Sequence, residues 1–317
     1  MTKILVTGAA GNIGSALVDK LLTYPTYQVV GVDNLLTGSK TKLPNDGHPN
    51  FTFIKADVNS YSEISQIILA YKFDFVFHYA AMVGVQRTLE NPVMVLNDIQ
   101  GIKNILDLSK NTGVKRVFYS SSSEVYGEPV EFPQNEQTTP LNSRLPYAIV
   151  KNVGEAFLRS YHKEFDLSYT VFRFFNTYGP RQSEDFVVTK FLKQAILNEP
   201  IPIYGIGSQS RTFCYIDDNI ETTLACLQND LCVNEVMNVG NDIEITVKEL
   251  ASKVISLTGS SSKIVFLPAL KEGDMTRRMP DNTKMRSILG RPLISLDDGL
   301  KRTFDKMSLE NIVNELH

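Results

Sequence analysis

Hydrophobic and polar positions follow one repeating rhythm through the first half of the chain. A short apolar run is followed by a longer stretch whose apolar residues recur every three or four positions. That alternation predicts a buried strand, then an amphipathic helix. Ile4-Leu5-Val6 is such a run, and Ala16-Leu17-Val18 with Leu21-Leu22 carries the helical period after it. The pattern returns with strands at Gln28–Val32, Phe51–Ile54, Phe73–His78 and Arg116–Tyr119, and with helices at Ser60–Tyr71 and from Asn91-Pro92 through Lys110. The stretch 128–145 contains three prolines and reads as an irregular loop. Tyr147 opens another helix, and Leu167–Phe175 another strand. Beyond it the rhythm loosens. A helix is expected at Phe186–Leu197, a short strand at Pro202–Gly205, an extended segment at Arg211–Asp217, a strand at Val236–Val239 and a helix at Val247–Leu257.

Near-continuous apolar strands joined by helices imply a parallel sheet covered on both faces. On such sheets ligands sit beyond the carboxyl ends of the strands. The residues there are Gly8, Asp33, Asp57, Ala80 with Ala81, and Ser122. The first of these ends is the most specific. Gly8, Gly11 and Gly14 stand at three-residue spacing between a strand and a helix, with Asn12 and Ile13 among them. Glycines so placed permit a tight turn, a close approach to a pyrophosphate and close helix–strand packing. Free N–H groups at the helix start then face the phosphates. About twenty residues on, the second strand ends in Asp33-Asn34, where a carboxylate can bond a ribose diol. Asp57-Val58 follows the third strand; Asp57 could cap the next helix or meet the adenine amine. Ala80 and Ala81 would let a loop pass under a cofactor. The expected fold class is α/β, a Rossmann-type doubly wound parallel sheet with a smaller C-terminal substrate-binding lobe. Residues 1–175, with a return segment near 212–242, are expected to bind NAD. Residues 176–211 and 243–317 are expected to form the lobe.

Composition narrows the partners. The 317 residues are 43% hydrophobic and 21% charged, with a formal net charge of −3, which points to a globular protein and away from nucleic acid. Cys214, Cys226 and Cys232 are too few for a disulfide framework and lack metal-ligand spacing, which favours a reducing compartment and no metal. The first strand starts near residue 3, leaving no room for a signal peptide, and no apolar stretch is long enough to span a bilayer. A cytoplasmic enzyme is expected.

The chemistry lies in Ser122, Tyr147 and Lys151. Tyrosine and lysine four positions apart share a helical face. A phenol is a poor base near neutral pH, but a nearby ammonium and a cationic nicotinamide favour the phenolate. Tyr147 would accept an alcohol proton as hydride leaves the same carbon, with the Ser122 hydroxyl holding the substrate. His78, at a strand end, reads as a core residue. A non-catalytic dinucleotide sensor on the same fold would not need all three of Ser122, Tyr147 and Lys151.

Taken together, these motifs resemble the extended short-chain dehydrogenase/reductases that modify nucleotide sugars. The resemblance runs along the whole chain. It rests on Thr7–Gly14, Asp33-Asn34, Asp57-Val58, His78–Ala81, Ser120–Gly127, Tyr147 with Lys151, Arg173–Arg181 and Arg211–Asp218. It implies tightly held NAD, oxidation of the sugar at C4 to a 4-keto intermediate, and a homodimer built by pairing the helix of residues 91–110 with the Tyr147 helix. It also places Asn176 on the sugar and phosphates, Arg211 on the diphosphate and Tyr204 near the nucleobase. Asn97-Asp98 with Gly101 departs from the usual Asn-x-x-Gly.

The resemblance also ranks reactions. Ser123-Glu124 replaces the Asp-Glu pair of 4,6-dehydratases, so dehydration is disfavoured. UDP-glucuronate decarboxylases share Ser-Glu-Val-Tyr-Gly and the Arg277-Arg278-x-Pro-Asp281 run, where Arg278 can contact a carboxylate. The run after Arg181 lacks their usual Gly-Arg-Val-Val. A UDP-hexuronate decarboxylase is therefore the expected reading, with a UDP-sugar 4-epimerase as the alternative.

Overall fold

A computed structural model describes residues 1–45, 47–269 and 277–315. Its centre is a seven-stranded parallel sheet. The strands are β1 (Thr2–Thr7), β2 (Tyr27–Asp33), β3 (Phe51–Lys55), β4 (Phe75–His78), β5 (Arg116–Ser122), β6 (Ser168–Phe174) and β11 (Glu235–Val239). Their order is β11-β6-β5-β4-β1-β2-β3. The order reverses beside β1, leaving a crevice between β1 and β4 where a ligand can enter. Helices α1 (Asn12–Leu22), α2 (Tyr61–Tyr71), α5 (Asp98–Thr112), α6 (Pro146–Phe165) and α8 (Ile216–Gln228) cover the two faces. The core is correspondingly split. Ile4, Val6, Phe77, Phe118 and Phe172 pack toward α1 and α8, while Leu5, Val76, Val117 and Val171 pack toward α2, α5 and α6. Alternate residues of one strand serve opposite faces, which is why these strands read as unbroken apolar runs.

Past β6 come β7 (Thr177–Tyr178), α7 (Val187–Ile196), β8 (Ile201–Tyr204), β9 (Ser210–Thr212), β10 (Cys214–Tyr215), β12 (Glu244–Thr246), α9 (Val247–Thr258), β13 (Ile264–Leu267), α10 (Thr283–Leu289) and α11 (Leu296–Glu315). They make three two-stranded sheets, β10-β7, β12-β9 and β13-β8, beside the main one. A capping box starts α9: the Thr246 hydroxyl accepts from Glu249 N, and Glu249 returns a bond to Thr246 N.

Three expectations need correction. The helix expected over 91–110 is two helices, α4 (Pro92–Leu96) and α5, joined at Asn97, with the short α3 (Val85–Glu90) before them. No side chain caps α5, so the junction is a bend rather than a capped start. The extended segment from Arg211 stops at Tyr215, because Ile216 already begins α8, with Asp217 and Asp218 in its first turn where the helix dipole favours acids. Asp57 does not cap α2: its Oδ1 accepts from Asn59 N at 2.8 Å, closing a turn one residue before the Ser60 cap position. Among the described residues no helix is long and apolar enough to cross a membrane.

Candidate active site

One large cavity of about 750 Å³ opens along the carboxyl ends of β1, β2, β4 and β5. At its floor the chain turns from β1 into α1. Gly8 has φ +71°, and a Cβ there would lie 2.7 Å from the Ala80 nitrogen; at Gly14 it would lie 2.1 Å from the Gly8 carbonyl oxygen. Both positions exclude any side chain, and the loop, α1 and the β4 end therefore close up tightly. Gly11 stands at the cap position with no side-chain bond to the helix, and no acid occupies the first turn. Asn12, Ile13 and Gly14 line the cavity at that uncapped, positive helix end. A cradle without side chains, ending in unclaimed amides, fits a dinucleotide pyrophosphate.

Asp33 ends β2 at 8% exposure. Its Oδ2 accepts from Ala10 N at 3.0 Å and its Oδ1 from Leu35 N at 2.8 Å. Burial pushes its pKa up, while these two amides and the Lys42 ammonium pull against that rise. A carboxylate oxygen has lone pairs to spare after one bond, so Asp33 can still accept a ribose hydroxyl. Asn34 donates to Asp57 Oδ2 at 3.2 Å, and Asp57, Val58, Ala80 and Ala81 extend the same wall.

At the other end, β5 runs out in Ser122 and a 3-10 turn, Ser123–Tyr126. The Ser122 Oγ accepts from Glu124 N at 3.2 Å. Tyr147 sits in the first turn of α6, and Lys151 lies one turn further, 3% exposed. Lys151 Nζ donates to the Ser120 carbonyl at 2.6 Å and lies 5.7 Å from the Tyr147 ring centre. Burial lowers Lys151 to about 8, against the opposing pull of the Asp98 carboxylate. Burial also raises the Tyr147 phenol above its ordinary range; the Glu124 charge adds to this, and the Ser122 hydroxyl and Arg278 oppose it. Tyr147 therefore rests protonated and needs further positive charge nearby to serve as a base.

Asp98 is a cavity residue that the local sequence pattern, with Asn97 beside it, does not single out. Both line the cavity. Asp98 Oδ2 accepts from Met82 N at 2.7 Å, and its Oδ1 from Asn59 at 3.3 Å. The one signal for it was a carboxylate where an Asn was expected. His78 is a core residue: 2% exposed, 2.9 Å from the Thr7 hydroxyl, and lowered to about 3 by burial and by the Lys151 charge.

On the substrate side Asn176, Ser123, Glu124 and Arg278 line the same cavity. Arg278, 6% exposed, directs Nη1 at Glu124 Oε1, 3.5 Å away. Asn176 sits at φ +37° and donates to the Thr212 carbonyl at 2.9 Å. Tyr204 and Arg211 are not among the residues lining the cavity. Tyr204 ends β8 at 37% exposure, and Arg211 donates to the Ser210 carbonyl at 2.8 Å. So the structure gathers the fingerprint, the Tyr–Lys–Ser group, Glu124, Asn176 and Arg278 into one space, and leaves the two expected nucleotide contacts outside it.

A glycine-floored crevice with a tyrosine–lysine pair at its far end defines a dinucleotide-dependent enzyme. The chain belongs to the NAD dependent epimerase/dehydratase family, whose model matches residues 4–240, and its cofactor is NAD. It is 35% identical over 97% of its length to UDP-glucuronic acid decarboxylase 1 of Danio rerio, of which the match covers 73%. UDP-glucose 4-epimerase of Thermotoga maritima, solved with UDP-glucose, superposes with a TM-score of 0.91 at 33% identity over 98% of this chain and 100% of that one. UDP-glucuronic acid 4-epimerase of Bacillus cereus, solved with UDP-glucuronic acid and NAD, gives a TM-score of 0.88 at 31% identity, again covering 98% and 100%.

Proposed function

We propose that this NAD-dependent enzyme oxidises a UDP-sugar at C4 and decarboxylates a UDP-hexuronate. The observation that carries the proposal is Arg278 beside Glu124, both facing the cavity that holds Tyr147. NAD, when bound, supplies the acceptor and later the donor of a hydride at the sugar's C4. Gly8, Gly11, Asn12, Ile13 and Gly14 would hold its pyrophosphate, Asp33 and Asn34 its adenosine ribose, Asp57 and Val58 its adenine, and Ala80 and Ala81 its middle.

The Lys151 ammonium, joined by the positive charge of bound NAD, favours the Tyr147 phenolate, which takes the proton of the C4 hydroxyl while Ser122 holds the same hydroxyl in line. Asn176 bonds the sugar. Once C4 is a ketone, the C5 carboxylate is β to it. The C5–carboxylate bond then breaks, its electrons pass to an enolate, and carbon dioxide leaves. Arg278 binds that carboxylate before it goes, with the ion pair loosening as the charge departs. Glu124, with Ser123 beside it, orients the group or delivers the proton to C5. Tyr204 and Arg211 are assigned to the nucleobase and diphosphate and have no part in the chemistry at C4.

A 4-epimerase is the second reading. It is favoured by the solved neighbour that binds UDP-glucuronic acid and is named an epimerase. An NMR time course with UDP-glucose, UDP-N-acetylglucosamine and UDP-glucuronate in separate tubes decides between them. A pentose product with carbon dioxide supports decarboxylation; a 4-inverted product with every carbon retained moves the assignment to epimerisation.

We further assign the protein to the cytoplasm and to a homodimer. Val93 is 74% exposed, Met94 46% and Leu96 40% on α4, with Ile149 at 39% on α6. These side chains make an apolar face on helices that pack beside one another, suited to a second copy across a two-fold axis. Residues 1–175 with the return near 212–242 would form the NAD-binding domain, and 176–211 with 243–317 the lobe.

A further inference from the structure

A buried polar chain lies behind the cavity and takes no part in the chemistry proposed above. It starts at Glu155, a fully buried residue of α6 one turn beyond Lys151. Arg173 of β6, 2% exposed, grips it with two bonds, Nε to Oε1 at 2.9 Å and Nη2 to Oε2 at 2.7 Å. Ser121, the neighbour of Ser122, donates to Glu155 Oε1 at 2.6 Å. The third guanidinium nitrogen donates to the Tyr126 hydroxyl at 2.8 Å. Tyr126 in turn donates to Asn238 Oδ1 at 2.7 Å. Asn238 Nδ2 then donates to the Gln134 carbonyl at 2.8 Å. Gln134 holds the segment bearing Arg278 on both sides of its main chain: Gln134 N donates to Met279 O, and Asp281 N donates to Gln134 O, each at 2.8 Å.

The two ends of this chain matter. One end is the helix of Tyr147 and Lys151. The other is the pair of segments that carry Glu124, in the turn shared with Tyr126, and Arg278, next to Met279. An ion pair buried this deeply adds little stability over an apolar filling of the same shape, whereas a continuous run of buried hydrogen bonds fixes one geometry. Groups that must meet a substrate within fractions of an ångström need that kind of support.

We propose that Tyr126 and Asn238 are positioning residues that hold Glu124 and Arg278 in register with Tyr147. They serve the step at C5 after C4 has been oxidised, and leave the oxidation itself alone. The inference rests on the functional reading above.

The test uses the full chain with NAD bound and the variants Tyr126→Phe and Asn238→Ser, which cut the chain at one hydroxyl and one amide. Three quantities are read: the melting temperature, the first-turnover rate of NAD reduction at saturating UDP-glucuronate, and the 4-keto sugar released per finished product. The expected result is first-turnover reduction within about twofold of the parent and at least about a tenfold rise in released 4-keto sugar. A lower melting temperature with an unchanged product ratio makes the chain structural and overturns the proposal. Equal slowing of both steps overturns it too. If Tyr126→Phe fails to fold, Asn238→Ser gives the same reading from the other side of the break. A parent protein that turns over none of the three nucleotide sugars refutes the functional reading, and the positioning role with it.

Discussion

Glu124 and Arg278 face each other at 3.5 Å although 154 residues separate them in the chain. Their side chains are 18% and 7% exposed. A carboxylate-bearing sugar entering the cavity would compete with Glu124 for the guanidinium. Arg278→Gln should therefore weaken UDP-glucuronate binding at least about tenfold while leaving UDP alone within about twofold. Calorimetric titration of the two ligands checks this. An equal loss for both would move Arg278 away from the carboxylate.

Tyr147→Phe removes one hydroxyl from a partly buried ring. The fold and bound NAD should persist, and turnover of any accepted nucleotide sugar should fall at least about a hundredfold, the scale of a lost general base. Steady-state rates with spectroscopic measurement of bound cofactor test it; near-normal turnover would remove Tyr147 from the reaction.

Lys151 gives a pH signature. Burial lowers it from an ordinary 10.5 to about 8, so between those values the unfolded chain binds a proton that the folded chain has released. Stability then rises with pH across that window, and below it the folded protein carries the whole cost of a buried ammonium. Lys151→Met should abolish activity yet stabilise the protein near pH 7 by on the order of 1 kcal/mol, after loss of the bond to Ser120. The gain should disappear as pH approaches 10.5. Thermal melts of both proteins across this range would detect it, and a destabilised variant at pH 7 would contradict the assignment.

Asp33 should select NAD. A carboxylate already holding two amides accepts a ribose diol and repels a 2′-phosphate. NAD should bind at least about tenfold more tightly than NADP, and Asp33→Ser should narrow the difference. Fluorescence titrations with both cofactors suffice; equal affinity in the parent would sink the idea.

The apolar face of α4 and α6 predicts assembly. Light scattering should give twice the chain's mass, and Val93→Asp should shift the population toward monomer. A parent that stays monomeric at every concentration would contradict the two-fold pairing.

Much of the fold was legible because a parallel sheet writes itself locally. Ile4–Val6, Val29–Val32 and Val117–Tyr119 are apolar on both faces, and the Gly8–Gly14 spacing has few structural meanings. Tyr147 and Lys151 were legible for the same reason, since four residues make one helical turn. Asn97 misled: a helical period continues through it, and only the structure shows the axis breaking between α4 and α5. Arg278 was named from its motif, but its contact with Glu124 depends on how residues 277–282 dock against the 128–145 loop, which no local pattern encodes. The Glu155–Arg173 grip joins a helix and a strand in the same way, through contacts that only tertiary packing brings together.

Strand β11 has a consequence for the order in which this protein can be made. Its five residues, Glu235–Val239, fill the outer edge of the sheet beside β6, yet they leave the ribosome only after α7, β8, β9, β10 and α8. Until then β6 presents a bare row of backbone donors and acceptors flanked by Val171, Phe172 and Phe174, a surface ready to pair with any neighbouring nascent chain. A chain halted at Phe175 would keep every glycine of the fingerprint and both members of the tyrosine–lysine pair and still be a sticky fragment. The first half of this protein is a module only in appearance, and gene fusions or truncations that treat it as one should yield aggregates.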